Sequence, residues 1–445
     1  MTPATQVRRP SLPPAPAHPP HMSNVRFADY AAKGLNATLA HSIPFEYCTP
    51  IQAATLDAIL TGEDVYVKAK TDTGKTLAFI IPTIQRILGQ NATGKDVLSL
   101  ILSPTRELAQ QIASEAEMVL TGAGLKDKIG VQTFVGGLEI KKDLRRIKNE
   151  RLDLVIATPG RLIDLIENHR FRERLQTVST LVLDEGDRLL DTGFKQALHQ
   201  IWDSLPPRTQ VARQTLFFSA TFPPDFQKIA QLFLLPTQQN ISTISESERA
   251  THEHVPQSCQ TVPMDQLYPA TAALLSRWLK EDQNCEVILF ANTAVGAGVF
   301  GDMAATLTAL QPQLGTSVFT THSRLSQSRR TRAIEDFKKS KSGVLVSSDV
   351  TARGIDIPDV THVLQVGIPS SVEQYVHRLG RTARAGKAGS GTRLLSDFER
   401  PFLKWKGVPE LNIQPLSPSH LGSFLPPYLY SSCTGLALCK KLHGG

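Results

Sequence analysis

The chain has 445 residues, more than one ordinary domain needs, so two domains of about 200 residues are the natural division. Its 41% hydrophobic and 6% aromatic content is that of a globular protein, and no run of about 18 apolar residues occurs, which argues against a membrane span. Lys+Arg exceeds Asp+Glu by seven (48 against 41), which suits a polyanionic partner without demanding one. The five cysteines (Cys48, Cys259, Cys285, Cys433 and Cys439) contain no CxxC pair, so a disulfide framework or zinc site is set aside and a reducing compartment is the simpler reading.

In chain order, residues 1–25 form a tail. The first 28 residues contain no Asp or Glu but carry Arg8, Arg9 and Arg26, a composition that suits an organelle transit peptide. "RRPSLPPAPAHPP" is too proline-dense for the amphipathic helix such peptides use, and a disordered tail is the alternative.

From residue 26 to 238 short apolar runs alternate with helical segments: "DVYVKAK", "VLSLILSPT", "VQTFVGG", "LDLVIATPG", "STLVLDEGD" and "TLFFSAT". The rhythm returns from 263 to 413 with "EVILFANT", "SVFTTHS", "SGVLVSSD", "THVLQVG" and "GTRLLSD". Continuous apolar strands alternating with helices predict parallel sheets buried on both faces, with ligands at the carboxyl ends of the strands. Residues 239–262 are polar and aperiodic, so they read as a linker, and residues 414–445 as a tail without a persistent period.

Chemistry-bearing residues cluster at the predicted strand ends. In "VYVKAKTDTGKT" a strand enters a tight loop, Ala69-Lys70-Thr71-Asp72-Thr73-Gly74, and then a helix. Backbone N–H groups there form an anion nest; Lys75 would reach the phosphates of ATP, and Thr76 would offer its hydroxyl to Mg²⁺. "VLDEGD" closes another strand on acids, Asp184 to hold the metal and Glu185 to orient and deprotonate water; an acidic helix cap is the alternative. "FFSAT" supplies two hydroxyls able to bond that acidic motif. In "HRLGRTARAG", Arg381 and Arg384 share a helical face and suit a γ-phosphate at a domain cleft, or simply a basic surface helix.

Together these motifs resemble the DEAD-box RNA helicases of superfamily 2 over about residues 27–400. The resemblance implies an α/β fold of two tandem RecA-like domains, each a mostly parallel sheet with helices on both faces. "PFEYCTPIQ" resembles the adenine-reading motif, with Gln52 as amide reader and Phe27 upstream to stack on the base. "SPTREL" (Pro104, Thr105, Arg106), "GG" (Gly137) and "TPGR" (Thr158, Gly160, Arg161) match the RNA-backbone motifs of the first domain. "ILFANT" (Thr293), "QSRR" (Gln327, Arg330) and "SSDVTARGID" (Ser348) match those of the second, and Asp356 is implied to approach the ribose. The implied activity is RNA-stimulated ATP hydrolysis with local RNA unwinding, by a monomer binding RNA through phosphates and sugars. A narrower likeness, in "DRLLDTGF", "THEHVPQSC" and "VLQVGIPSSVEQYVHRLGRTARAGKAGS", is to fungal mitochondrial RNA chaperones that serve intron splicing and translation. It favours the mitochondrial matrix over cytoplasm or nucleus. Those relatives carry a longer basic C-terminal extension that tethers RNA, which residues 414–445 do not resemble.

Three positions depart from the pattern. Asp184-Glu185-Gly186-Asp187 stands where the family has Asp-Glu-Ala-Asp; the expected cost is backbone entropy, ~0.5–1 kcal/mol. Pro44 and Cys48 replace the usual glycine and proline. Asp72 replaces a phosphate-loop glycine: a carboxylate about 5 Å from a phosphate charge costs ~3 kcal/mol at effective dielectric ~20. That is about a hundredfold in ATP affinity, falling below ~1 kcal/mol if the side chain turns to solvent. A competing reading is therefore a non-catalytic RNA-binding protein whose ATP site Asp72 impairs.

Overall fold

The computed structural model describes residues 22–69, 73–90, 92–191, 193–220, 230–243, 255–348, 360–383, 389–405 and 407–416. Lys70, Thr71, Asp72, Asp356 and Arg384, residues 1–21 and 417–445 of the two tails, and the middle of the expected linker lie outside the described residues.

Two parallel sheets organise the chain. The first contains β1 (Val65–Lys68), β2 (Ser99–Leu102), β3 (Val131–Phe134), β4 (Leu154–Ala157), β5 (Thr180–Leu183), β6 (Gln214–Ser219) and β7 (Gln239–Ser242), in the order β3-β4-β2-β5-β6-β1-β7. The second contains β8 (Gln257–Val262), β9 (Glu286–Ala291), β10 (Ser317–Thr321), β11 (Gly343–Ser347), β12 (His362–Val366), β13 (Ser390–Ser396) and β14 (Gln414–Pro415), in the order β10-β11-β9-β12-β13-β8-β14. Counted from its own first strand, each sheet runs 3-4-2-5-6-1-7. The two halves repeat one topology.

The strands form where apolar side chains can be buried on both faces. In β2, Leu100 and Leu102 enter one core cluster and Ile101 the other; in β6, Phe217 and Phe218 divide the same way. Helices α1 (Ala37–Ser42), α2 (Pro50–Leu60), α3 (Lys75–Leu88), α4 (Arg106–Gly122), α5 (Ile140–Asn149), α6 (Pro159–Asn168), α7 (Gly186–Asp191) and α8 (Lys195–Ser204) belong to the first half. The second has α9 (Leu267–Glu281), α10 (Ala294–Leu310), α11 (Gln327–Lys339) and α12 (Val372–Leu379). Polar residues stop and start them: Thr49 and Gln52 form a reciprocal capping box before α2, whose first residue is Pro50.

The segment 239–262 is not a linker throughout. Its ends are strands: β7 pairs with β1 at a sheet edge, and β8 lies between β13 and β14 inside the second sheet. Gln257 and Cys259 are buried despite their polarity, so hydropathy gave no signal for pairing with residues 391–396, more than 130 positions away. The same pairing carries the second sheet to Pro415, past the expected boundary at 413.

Arg393 in β13 is an unexpected core residue. It is fully buried between the rings of Tyr375 and Phe402, 4.3 Å from each, and donates to Gln365 Oε1 at 2.7 Å. The rings favour the cation, but burial pushes the guanidinium down to about 9, with Arg378 adding repulsion. A base depressed in the folded state destabilises the fold at neutral pH, and the cost fades as pH rises above the folded value. Arg393→Leu is expected to raise stability at pH 7 by about 1–4 kcal/mol, with the advantage shrinking above pH 9. Thermal melts at pH 7 and 10 check this; a less stable Leu variant at pH 7 would show that the rings and Gln365 outweigh burial.

Candidate active site

Strand order places the nucleotide motifs side by side. The phosphate loop follows β1, the acidic motif follows β5, and "SAT" follows β6, and these three strands are neighbours. Ser219 at the end of β6 joins the three. Its carbonyl accepts from Ala69 N at 3.1 Å, and its hydroxyl accepts from Asp187 N at 3.1 Å. The expected hydroxyl link to the acidic motif is thus present for Ser219, through the main chain of Asp187; Thr221 lies outside the described residues.

Gly74 turns the chain into α3 with φ 87, a left-handed conformation that glycine adopts without a steric penalty. A Cβ at Gly74 would lie 2.6 Å from Gln52 Nε2, which donates to Gly74 O at 2.9 Å; Gln52 Oε1 accepts from Thr49 N at 2.8 Å. Gln52 therefore grips the phosphate loop as well as facing the nucleotide region. Thr73 and Gly74 are half-buried beside the first turn of α3, where Lys75 and Thr76 stand. Lys75 Nζ is buried and finds no hydrogen-bond partner among the described residues. An unpaired buried ammonium at a helix N-terminus is a receptor for an anion.

Asp184 interacts with it electrostatically. Burial pushes this carboxyl above its ordinary range, while the charge of Lys75 and the N–H of Glu185, 2.9 Å from Oδ1, oppose the rise. Among the described residues no three His, Cys, Asp or Glu side chains gather to hold a metal. Mg²⁺ takes one or two protein ligands and completes its shell with phosphate oxygens and waters. Asp184 and Thr76 are the residues that would hold it. Glu185 is buried with φ 48, a left-handed glutamate costing about 1–2 kcal/mol.

Other expected nucleotide contacts are placed differently. Phe27 is 1% exposed and packed in the first core cluster with Tyr30, so here its ring supports the loop instead of offering an open stacking face. Arg381 is buried in the second half. Sequence reasoning overlooked Arg378 in the same motif: it is fully buried, lies 5.5 Å from the Phe290 ring, and donates to Asn292 Oδ1 at 3.3 and 3.4 Å. Its three-residue spacing from Arg381 was the available signal.

The expected RNA motifs follow β2, β3 and β4, the other three adjacent strands of the first sheet. Pro104 is buried, and Thr105 caps α4 by accepting from Leu108 N at 3.3 Å. Arg106 lies across the glycine turn: a Cβ at Gly137, whose φ is 76, would fall 2.1 Å from Arg106 Nη1. Thr158 accepts from Gly136 N at 3.4 Å, and exposed Gly160 has open space above it at the start of α6. Arg161 is an anchor. It is buried, paired with Asp143 of α5 at 2.5 Å and bonded to Leu138 O at 2.6 Å, so it ties α6 to α5 and to the turn before it.

In the second sheet the matching motifs follow β9, β10 and β11, again three neighbours. Thr293 is exposed and caps α10 through Gly296 N at 2.9 Å; Ser348 is buried, its N–H donating to Thr321 O at 3.3 Å. Gln327 and Arg330 reach the other half of the molecule. Gln327 Nε2 donates to Glu107 Oε1 at 3.0 Å, and Arg330 forms a buried ion pair with the same carboxylate. Burial and Arg106 push the Arg330 guanidinium down, against the pull of Glu107. Glu107 was not singled out from sequence, because only the assembled halves reveal its partners.

Comparison with known proteins settles the family. The DEAD/DEAH box helicase model matches residues 49–229, and the helicase conserved C-terminal domain model matches 270–386. The chain belongs to the DEAD-box ATP-dependent RNA helicases. This is a family of RNA-dependent ATPases built on tandem RecA-like domains. DEAD-box ATP-dependent RNA helicase 26 of Oryza sativa subsp. japonica is 40% identical over 384 residues, 86% of this chain and 69% of the relative. ATP-dependent RNA helicase cyt-19, mitochondrial, of Neurospora crassa is 38% identical over 403 residues, 84% of this chain and 63% of the relative. The chain spans 63% of rice helicase 25 and 44% of Arabidopsis thaliana helicase 26. The solved structure of Mss116p bound to ssRNA and AMP-PNP superposes with a TM-score of 0.79 at 32% identity, covering 89% of this chain and 80% of that one.

The Glu107–Arg330 pair makes opposite predictions under two roles. Removing a carboxylate beside bound RNA would strengthen binding, whereas removing one partner of a buried interdomain pair leaves a buried charge and costs about 3–5 kcal/mol. Glu107→Gln is expected to weaken RNA binding and RNA-stimulated turnover by at least about tenfold, as Arg330→Met does, with ADP affinity unchanged. RNA and ADP titrations check this; tighter RNA binding by Glu107→Gln would contradict the pairing role.

Proposed function

We propose that this DEAD-box protein hydrolyses ATP in the cleft between its two domains and uses closure of that cleft to unwind RNA locally. The observation that carries the reading is the buried Lys75 ammonium, which has no hydrogen-bond partner among the described residues and lies beside Asp184 and Glu185, on the strand edge that also bears the expected RNA motifs.

Lys75 holds the β- and γ-phosphates, with the loop 69–74 supplying N–H donors and Gln52 and Asp356 holding adenine and ribose. Thr76 and Asp184 retain Mg²⁺, which neutralises phosphate charge when bound. Glu185 orients water and takes its proton, and Arg381 and Arg384 complete the site from the second domain. Pro104, Thr105, Arg106, Gly137, Thr158, Gly160, Thr293 and Ser348 line the RNA path, while Arg161, Gln327 and Arg330 hold its walls. Contacts to phosphates and sugars make binding salt-dependent and tolerant of sequence. The protein acts as a monomer without a membrane; among the described residues no helix is long and apolar enough to cross one.

The finer reading is a mitochondrial RNA chaperone serving intron splicing and translation. It is supported by the acid-free, arginine-bearing first 28 residues and by the relative whose name places it in mitochondria. Asp72 favours the alternative of an RNA-binding protein without turnover. RNA-stimulated phosphate release separates them. Wild type is expected to turn over, Asp72→Gly to bind ATP up to about a hundredfold tighter, and Lys75→Ala to lose at least about a hundredfold in kcat/KM. Turnover by the glycine variant alone would establish the non-catalytic reading, and full-length protein outside the mitochondrial matrix would remove the finer one.

A further inference from the structure

We infer that Phe217 is a positioning residue for Glu185, and that Gly186 is the complementary space that admits its ring. The inference rests on the proposed hydrolysis for its functional consequence, but its steric content stands on geometry alone.

A Cβ built on Gly186 falls 2.3 Å from both Cε1 and Cζ of Phe217 and 3.1 Å from Cδ1. Carbon atoms pack at about 3.5–4.0 Å, so alanine at 186 requires a displacement of more than about 1 Å. The ring has little room to yield. It is 1% exposed, Tyr66 lies directly across in β1 with its ring edge-on at 5.2 Å, and Leu183 is its register partner in β5 on the other side. The start of α7 is therefore what would move, and Glu185 is the residue immediately before it.

Glu185 is sensitive to such movement. Its backbone sits at φ 48, a conformation a glutamate keeps only when its surroundings over-determine it. Those surroundings come from β6: the Phe217 ring meets Gly186, and the Ser219 hydroxyl holds Asp187 N. One strand thus clamps the chain just after the catalytic carboxylate. The glycine, expected from sequence to cost only backbone entropy, is instead required by the phenylalanine, and the family's alanine does not fit here while Phe217 is present.

Leucine lacks the two ring atoms that collide, so the clash can be relieved from either side. The test compares wild type, Gly186→Ala, Phe217→Leu and the double variant in steady-state ATP hydrolysis at saturating RNA, with Mg·ADP affinity and melting temperature measured alongside. Gly186→Ala is expected to lose about 10–100-fold in kcat with KM for ATP and ADP affinity little changed. The double variant is expected to recover most of the kcat of Phe217→Leu. Wild-type turnover by Gly186→Ala, or a double variant no faster than Gly186→Ala, overturns the inference. If Gly186→Ala melts early, a double variant that melts later supports the pairing, and additive losses overturn it. If wild type itself fails to hydrolyse ATP, the proposed function falls, and the melting cycle alone still decides whether the two side chains are coupled.

Discussion

The Lys75 ammonium is the constraint on which the nucleotide half of this molecule turns. It is buried at the start of a helix, next to a carboxyl that burial has pushed up, and has no hydrogen-bond partner among the described residues. A buried ammonium at a helix N-terminus suits an anion with several oxygens. Three neighbouring strands hold the groups around it, and Ser219 ties their ends together with two hydrogen bonds.

Topology then explains how the expected nucleotide and RNA motifs come to one edge. In the order 3-4-2-5-6-1-7, the strands that precede the expected nucleotide motifs are contiguous, and so are those that precede the expected RNA motifs. All strands are parallel, so both sets of loops emerge at the same edge. Repetition of that order in the second half presents a matching edge, and Glu107 meets Gln327 and Arg330 between the two. Interdomain contact is thereby made through residues rooted among the expected RNA motifs.

Much of this was legible in the sequence, for identifiable reasons. Runs such as "LSLIL" and "TLVLDEGD" announce strands buried on both faces, and the phosphate loop, the acidic motif and "SAT" lie at the ends of such runs. β7 and β8 were missed because Gln239, Gln257 and Ser258 carry no apolar signal and their partners are distant along the chain. Roles were harder to read than positions. Arg161 and Arg330 stand in RNA motifs, yet their guanidinium groups bind Asp143 and Glu107. The fit of Gly186 to Phe217 joins residues 31 positions apart, and only packing discloses it. The meaning of Asp72 depends on a side-chain direction that composition does not contain.

In the proposed closure over ATP and RNA the two ligands are linked, so each must raise the affinity for the other by the same factor. Titration calorimetry of a non-hydrolysable ATP analogue with Mg²⁺, with and without single-stranded RNA, tests this most directly. The predicted result is binding at least about tenfold tighter when RNA is present. Equal affinity in the two titrations, or no uptake of the analogue at about millimolar concentration, would contradict it.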